Sequence, residues 1–328
     1  MRKVLVLSSL LMLCLVVPMT AQGIIYNPSN TPSTGSGNAW PFNVHTGWRF
    51  QFIINASVLP NAPIKITDIA FAPTSTMTWA SNQFQVRMGH TTMNDFNTPM
   101  MPNCFEEMIG PCATVMYDGP FKWACTADTW SPLRLHCPFG YDGKRNIVVE
   151  IRYNDRLTSG VNTRVDSSIN RAYTHTGATP DPYNAPCWII PIPGQASGPK
   201  HCLTYERTCI LLASDTVKVG LSAGINIIQG PAGSFYQIAA SFGQGGFYVN
   251  NCHLCLDVDA LFLASLFGGP PIFNGYAGTL SPGGGAGAKF SCPNIPALAG
   301  LCIYHAAIIF DATGIRCCTN TDGMKIIP

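Results

Sequence analysis

Charged residues are scarce in this sequence. Asp, Glu, Lys and Arg make up 11% of the 328 residues, whereas a typical soluble domain contains roughly 25%. The net charge is only +2, and no basic run is longer than Lys144-Arg145. Because a nucleic-acid surface needs clustered Lys and Arg, we expect no nucleic-acid partner.

Catalytic signatures are also sparse. The seven histidines do not form the His-Glu-x-x-His pair of a zinc protease. The paired acids Glu106 and Glu107 lie in a cysteine-rich insert, which we interpret as a solvated loop. A glycosidase needs two carboxylates across a cleft, and their separation cannot be read from sequence. We therefore expect no enzymatic activity, and an extracellular hydrolase of unrecognised type is an alternative.

Long helical patterns are missing, and the 31 Gly and 26 Pro residues favour short strands joined by turns. The clearest strand signal is the alternation over residues 147–153, just after a Gly-containing turn. Alternation of β-branched residues predicts a strand with one buried face. One face carries Ile147, Val149 and Ile151, and the other carries Val148, Glu150 and Arg152. We interpret this segment as the central strand of a β-sandwich.

Similar strand patterns recur along the chain and predict the fold class. The best of them cover residues 49–58, 64–71, 84–88, 235–241 and 301–310. Strands at this spacing indicate an all-β fold. We predict two β-sandwich, jelly-roll-like domains in tandem, stabilised by disulfides, at residues 48–190 and 211–328.

Two segments outside these domains have the composition of irregular chain. Residues 24–47 are rich in Ser, Thr, Asn, Pro and Gly, which predicts a flexible N-terminal segment. Its first residues, Ile24 and Ile25, offer an alternative role as a docking strand. Residues 191–210 are rich in Pro and Cys and predict a linker, with the domain boundary near Pro199.

Four segments of the first domain together resemble a known module: RFQFIINAS, IKITDIAF, FQVRMGHTT and PFGYDGKRNIVVEIRY. They are similar to the jelly-roll-type accessory module of large secreted bacterial proteins, over about residues 48–190. The resemblance implies a non-catalytic part of an exported surface protein. The insert between Met101 and Cys137 departs from the pattern, so the resemblance implies no ligand surface.

The second domain resembles a small C-terminal β-sandwich domain found at the ends of exported bacterial proteins of unknown role. The resemblance implies no activity. It rests on Tyr236-Gln-Ile, Ala240-Ser241, Leu256-Asp257 with Asp259, Phe273, Gly278-Thr279-Leu280, Leu301-Cys-Ile-Tyr and Thr319-Asn320.

The N-terminus has the layout of a secretory signal peptide. Arg2 and Lys3 precede an apolar stretch at residues 4–17, and small residues follow around Ala21. The apolar stretch is shorter than a typical membrane span, and an uncleaved N-terminal anchor is the alternative. We predict a signal peptide at residues 1–23 and a secreted or cell-surface protein, of bacterial source, that does not span a membrane.

The number of cysteines agrees with export. Thirteen remain once Cys14 of the apolar stretch is set aside, and in an exported chain such density indicates disulfides. An odd number leaves at least one thiol free or paired between molecules. The candidates are Cys104, Cys112, Cys125, Cys137, Cys187, Cys202, Cys209, Cys252, Cys255, Cys292, Cys302, Cys317 and Cys318.

The spacing of these cysteines leaves their pairing open. Neighbours along the chain suggest three local pairs: Cys104 with Cys112, Cys125 with Cys137, and Cys292 with Cys302. The segment Cys252-His253-Leu254-Cys255 has the spacing of a zinc or redox half-site. A second Cys pair of matching geometry is missing from the sequence, so we favour disulfides to other strands.

Two further groups of residues are candidates for binding. Asp257 and Asp259 would share one face of a strand and could bind calcium; no other cofactor is indicated.

Trp123 and Trp130 lie in the polar insert, where exposed indole rings could stack on sugars. A carbohydrate-binding, lectin-like module is therefore an alternative to the main prediction. That prediction is a secreted, non-catalytic structural or matrix protein whose partners are itself, other surface proteins and possibly glycans.

Overall fold

The computed structural model describes residues 22–43, 45–94, 96, 104–169, 171–175, 179–186 and 197–328. Strands dominate, and the prediction of an all-β fold is confirmed. Residues 1–21 of the predicted signal peptide lie outside the described residues. Cys187 also lies outside them. No helix in the described part of the chain is long and apolar enough to cross a membrane.

The described residues of the N-terminal half (residues 22–206) form thirteen strands, one α-helix and one 3-10 helix. The helices are α1 (Phe105–Ile109) and the 3-10 helix Ala56–Val58. The strands are β1 (Gln22–Asn27), β2 (Ser36–Phe42), β3 (Trp48–Ile54), β4 (Ile64–Phe71), β5 (Met77–Thr91), β6 (Thr114–Cys125), β7 (Ser131–Pro132), β8 (Phe139–Tyr141), β9 (Asn146–Arg156), β10 (Val161–Asp166), β11 (Arg171–His175), β12 (Gly198–Pro199) and β13 (His201–Glu206).

Twelve strands, one α-helix and one 3-10 helix make up the C-terminal half (residues 209–328). The helices are α2 (Ala260–Phe267) and the 3-10 helix Pro296–Leu298. The strands are β14 (Ile210–Ala213), β15 (Thr216–Lys218), β16 (Ser222–Ile228), β17 (Phe235–Ser241), β18 (Phe247–Val249), β19 (Cys252–Leu254), β20 (Phe273–Asn274), β21 (Ala277–Thr279), β22 (Ala286–Ser291), β23 (Cys302–Asp311), β24 (Gly314–Cys318) and β25 (Asp322–Ile327).

The core of the N-terminal half lies between packed sheets. One sheet has the order β11-β3-β9-β5-β6, another the order β1-β13-β4-β7 with β8 beside β4, and a third the order β12-β10-β2. Their facing side chains form one large apolar cluster rich in aromatic rings. Strand β9 is third of five in its sheet, which agrees with the predicted central position of residues 147–153.

Both faces of β9 are buried, although its alternation predicted only one buried face. Ile147, Val149 and Ile151 point into the large core as expected. On the other face, Val148 packs in a smaller apolar cluster under α1. Glu150 on that face is also fully buried, because α1 and residues 179–186 cover this side of the sheet through contacts with Arg49.

A buried group of charges holds this covered face together. The Glu150 carboxylate accepts hydrogen bonds from Arg49 Nε at 3.0 Å, Arg87 Nη2 at 2.6 Å and Gln51 Nε2 at 2.7 Å. Glu106 on α1 pairs with both arginines. Burial opposes its ionisation, but the hydrogen bonds and charges of Arg87 and Arg49 lower the pKa of Glu106 to about 2. Glu106 is therefore part of a salt-bridge network, which corrects its interpretation as a solvated loop residue.

The N-terminal segment and the linker both contain strands, which corrects two predictions. Residues 24–47 hold β2 and most of β1, and residues 191–210 hold β12 and β13. Strand β1 pairs with β13 from Gln22 to Asn27, and β13 pairs in turn with β4. A polar, Pro-rich segment can form a regular strand here because β13, far along the chain, supplies the backbone hydrogen-bonding partners of β1. Strand β13 therefore belongs to the N-terminal half, beyond the predicted boundary at Pro199.

A buried histidine connects β1 to β13. Asn27 Nδ2 donates to His201 Nε2 at 3.3 Å, and His201 Nδ1 donates to the Pro199 carbonyl at 3.0 Å. This arrangement fits a neutral imidazole, since a proton on Nε2 would face another donor. Burial lowers the pKa of His201 to about 4, although the bond to Pro199 acts in the opposite direction.

We expect this histidine to make the protein sensitive to acid. The unfolded side chain titrates near 6.5, so its contribution to stability is complete above that pH and is lost as the pH falls towards 4. The loss of unfolding free energy is about 3 kcal/mol at pH 4, at about 1.4 kcal/mol per pH unit. Denaturant unfolding from pH 7 to pH 4 should therefore show a smaller loss for His201→Gln than for the unchanged chain. Equal losses would contradict this account.

The C-terminal half has its own core between two sheets. One sheet has the order β14-β16-β22-β20, and the other has β15-β25-β23-β17-β21 with β24 beside β23. Their inner faces form a second large apolar cluster. Helix α2 covers part of the outer face of the second sheet, where Phe262 packs with Ala239 and Ala306.

Disulfides join the two halves and brace the second. Cys112–Cys302 and Cys137–Cys255 cross between the halves. Cys209–Cys317 and Cys252–Cys318 lie within the C-terminal half. Cys104 is disulfide-bonded as well.

The three predicted local pairs are wrong. Cys112, Cys137 and Cys302 bond to residues more than 100 positions away, because pairing follows spatial proximity and not spacing along the chain. Three cysteines, Cys125, Cys202 and Cys292, are free and buried, which confirms the expectation of at least one free thiol. Burial, together with the charge of Asp68, raises the pKa of the Cys202 thiol to about 12.

Candidate functional site

A groove opens where the two halves meet. Its volume is about 470 Å³, and we call it the junction groove. The N-terminal half contributes the ends of β4 and β13 and the segment before β8, and the C-terminal half contributes the β18–β19 hairpin and β24. Side chains that line it include Lys65, His136, Glu206, Asn251, His253 and Arg316.

The β18–β19 hairpin forms one wall of the groove. Two residues, Asn250 and Asn251, connect the strands, and Val249 pairs with Cys252. Asn250 has a φ of 54°, and Asn tolerates this left-handed conformation better than most residues. The Cys252–Cys318 disulfide ties the hairpin to β24 directly after the turn.

Two histidines and a tyrosine meet at this wall. His253 Nδ1 donates to the His136 carbonyl at 3.1 Å, and the two imidazole rings are 6.3 Å apart in an edge-on arrangement. Burial, and then the nearby His253, lower the pKa of His136, which favours its neutral form near pH 7. Tyr248 pairs across the hairpin with His253 and stacks on its ring at 4.5 Å. Because Tyr248 is 70% exposed, the outer face of its ring is open to solvent.

The charges at the groove are compensated. Lys65 Nζ lies 3.0 Å from Glu206 Oε2 and donates to the Cys318 carbonyl at 3.3 Å. Arg316 Nε lies 3.4 Å from Asp311 Oδ2. The groove therefore offers amide, hydroxyl and imidazole groups around paired charges, which suits an uncharged polar ligand better than an ion.

A second cleft, of about 350 Å³, also lies between the halves. Arg145 pairs with Asp142 Oδ2 at 2.6 Å and with Asp215 Oδ2 at 2.7 Å, and so connects the two halves. Asp322 lies in the cleft wall and accepts hydrogen bonds from two backbone N–H groups, one of them that of Ala213. Burial raises the pKa of Asp322 to about 7. These contacts stabilise the junction, so we assign this cleft a structural role.

The structure separates the two tryptophans that the sequence grouped as ligand candidates. Trp123 is only 2% exposed and packs against Phe42, with ring centroids 4.9 Å apart. Alternation along β6 turns this ring into the core, so Trp123 is unavailable to a ligand, and that prediction is wrong. Trp130 is half-buried and lies 5.8 Å from the ring of Tyr26.

The calcium hypothesis for Asp257 and Asp259 is not supported by their positions. Both lie between β19 and α2 and not on a strand. Asp259 caps α2: one carboxylate oxygen accepts from Phe262 N at 2.8 Å and the other from Phe242 N at 2.8 Å. Its oxygens are therefore already used. Among the described residues, the cluster of side chains that could hold a metal ion includes neither aspartate.

One catalytic pattern escaped the sequence analysis. Residues 220–224 read Gly-Leu-Ser-Ala-Gly, the spacing of a nucleophile elbow, in which a strand leads through a tight turn into a helix. Ser222 instead opens strand β16, and its Oγ lies 2.7 Å from Ser291 Oγ on β22. The segment has no elbow geometry, so Ser222 is a sheet residue.

Sequence reasoning also missed Tyr248 and His253 as a pair. The signal available was the Asn-Asn turn between two short apolar runs, which predicts a hairpin. It would have placed the two residues opposite each other, but not beside His136.

Comparisons with known proteins give only remote similarity. No protein-family model matches the sequence, and no curated protein matches it either. A β-glucuronidase from Ruminococcus gnavus in complex with uronic deoxynojirimycin is 11% identical, with a TM-score of 0.24, covering 89% of this chain and 39% of that chain. A β-glucuronidase from Faecalibacterium prausnitzii is 9% identical, with a TM-score of 0.24, covering 94% and 46% respectively.

The chain spans less than half the length of these two enzymes. TM-scores this low do not establish a shared fold, and they support no statement about activity. The resemblance to accessory modules of exported bacterial proteins stays a prediction.

Proposed function

We propose that this chain is an exported, non-catalytic interaction protein of a surface or matrix, and that it binds its partner in the junction groove. The observation that carries the proposal is the construction of the groove: its walls come from both halves, which disulfides join covalently. A groove that is already fixed in shape lowers the entropic cost of binding. The disulfides also fit an extracellular location.

The polar groups of the groove support binding over catalysis. Lys65 and Arg316 are each paired with a carboxylate, and His253 Nδ1 is occupied by the His136 carbonyl. Groups held in this way can orient a ligand through hydrogen bonds. Lys65 and Arg316, paired in this way, are poorly placed to release protons in a reaction.

A carbohydrate is the second candidate, and one observation favours it. Tyr248 presents an open aromatic face, stacked on His253, at the turn that carries Asn250 and Asn251. Aromatic faces pack against the apolar faces of sugar rings, and amides bond to their hydroxyls. Tyr248 lies beside the groove, on the ring of the lining residue His253, so the hairpin offers the two contacts that an uncharged saccharide requires.

We expect Tyr248→Ala to weaken saccharide binding by about ten-fold, equivalent to about 1.4 kcal/mol, because the stacking surface is lost. The experiment is a glycan array with the oxidised chain from residue 22 onward, followed by titration of a glycan that binds. Phe267→Ala is the matched control, since Phe267 is an exposed aromatic residue (87%) at the end of α2, outside the β18–β19 hairpin.

The same preparation separates the possible outcomes. Binding that Tyr248→Ala weakens and Phe267→Ala does not supports carbohydrate recognition. A blank array together with oligomers or fibres in size exclusion and negative stain favours a structural partner, a second copy of the chain. A monomer that binds no glycan, or hydrolysis of ester, glycoside or peptide substrates, would contradict the proposed function.

A further inference from the structure

Three metal-ligating side chains converge beside the junction groove. The sulfur atoms of Cys137 and Cys255 and a ring nitrogen of His253 lie within 4.8 Å of one another. Cys137 comes from the N-terminal half, whereas His253 and Cys255 follow the hairpin turn of the C-terminal half. The ligand set therefore assembles only when the two halves are in contact.

The sulfur atoms are bonded to each other in this structure, so the cluster is a disulfide with an imidazole beside it. Thiolate and imidazole are the ligands that Zn²⁺ prefers in proteins. With Zn–S near 2.3 Å and Zn–N near 2.0 Å, a tetrahedral site places sulfur and nitrogen ligands about 3.5 Å apart. His253 Nδ1 already lies 3.5 Å from Cys255 Sγ. The Cys255 sulfur and the His253 nitrogen thus already have the separation of two zinc ligands before reduction.

We propose that reduction of the Cys137–Cys255 disulfide converts this cluster into a binding site for Zn²⁺ or a similar borderline divalent cation. Cys137, Cys255 and His253 are the three protein ligands. A water molecule would supply the fourth ligand, as in zinc sites with three protein ligands. This inference is independent of the proposed glycan binding, because it depends on the redox state of one disulfide.

A phosphine can supply the two electrons that reduction of the Cys137–Cys255 disulfide requires. The S–S bond accepts two electrons and two protons and becomes two thiols, while the phosphine takes an oxygen atom from water and becomes a phosphine oxide. The sulfur atoms then separate to about 3.8 Å, the distance between sulfur ligands of tetrahedral zinc. Metal binding releases both thiol protons to solvent. The imidazole proton moves from Nδ1, which now bonds the His136 carbonyl, to Nε2.

The rest of the disulfide framework gives the experiment its controls. Cys112–Cys302 also joins the halves but has no histidine among its described contacts. A Cys112→Ser variant therefore breaks a junction disulfide and frees one thiol, as Cys137→Ser does, without removing a ligand. His253→Gln leaves every cysteine in place and removes only the imidazole.

The test is Co²⁺ titration of the chain from residue 22 onward, oxidised or reduced with a water-soluble phosphine without oxygen. We expect the visible absorption of tetrahedral thiolate-bound Co²⁺, at one ion per chain, in the reduced protein only. Cys137→Ser should lose the band and Cys112→Ser should keep it. His253→Gln should weaken binding by at least the roughly 10- to 100-fold that loss of a supporting residue costs a metal site.

Folding of each variant is checked by far-ultraviolet circular dichroism. Equal Co²⁺ affinity of the oxidised and reduced protein would overturn the proposal, and so would a tetrahedral spectrum in folded Cys137→Ser. Because His253→Gln keeps every cysteine, unchanged affinity of the reduced variant would overturn the proposal even if Cys137→Ser failed to fold.

Discussion

Replacing Glu150 with alanine is expected to lower the unfolding free energy by about 3 to 5 kcal/mol, the cost of breaking a buried ion pair by removing one partner. The side chains of Arg49 and Arg87 are only 2% and 12% exposed. Without Glu150 they would stay buried and keep only Glu106 as a charged partner. Denaturant unfolding at neutral pH measures the loss.

Glu106→Ala is the matched control, because it removes a carboxylate that touches the same two arginines. The Glu106 side chain is 54% exposed, and ion pairs at such positions contribute only about 1 kcal/mol or less. The two variants should therefore differ by severalfold in unfolding free energy. Equal losses would show that the buried position of Glu150 does not determine its contribution.

Trp123→Ala is expected to destabilise the protein by about 3 to 5 kcal/mol, as large-to-small substitutions of core aromatic residues do. Trp123 lies opposite Trp79 on the neighbouring strand and packs against Phe42 in the large core. Removing its indole ring would leave a cavity among side chains that cannot close around it. Denaturant unfolding of the purified variant, or failure to obtain folded protein, is the measurement.

Trp130→Ala should cost much less, because Trp130 is half-buried and contacts only Tyr26 and Asn30 among the described polar and aromatic partners. We expect a loss of about 1 kcal/mol. The comparison also tests the tryptophan hypothesis derived from the sequence. A well-folded Trp123→Ala protein with unchanged stability would contradict the core position of this ring.

The strands that the sequence predicted well are those whose own side chains alternate. Residues 64–71 and 235–241 are strands with the predicted bounds, β4 and β17. Strand β1 entered only as the docking-strand alternative for Ile24 and Ile25, and β13 was missed, because neither shows clear alternation and the two strands pair across about 180 residues. Long-range pairing of this kind is a property of the fold that local pattern does not contain.

The burial of Glu150 shows the same limit. Alternation correctly placed it opposite Ile147, Val149 and Ile151, on the face that would ordinarily meet solvent. Its partners Arg49 and Arg87 lie on strands on either side of β9, and α1 covers all three. The local sequence around Glu150 contains no signal that α1 covers this face of the sheet.

The candidate site could be predicted only in its parts. Cys252 and Cys255 were correctly expected to form disulfides, Cys252 to another strand and Cys255 to a residue before β8, but neither Cys318 nor Cys137 could be selected as partner from spacing. The junction groove depends on those partners, since they bring His136 next to His253. A site built from two halves of a chain becomes visible only when their contact is known.

The central claim is that the two halves are covalently fixed to each other and so form the groove. Peptide mapping of the unreduced protein by mass spectrometry tests this claim most directly. We predict linked peptides that join Cys112 to Cys302 and Cys137 to Cys255. Recovery of the local pairs Cys125–Cys137 and Cys292–Cys302 in their place would contradict it.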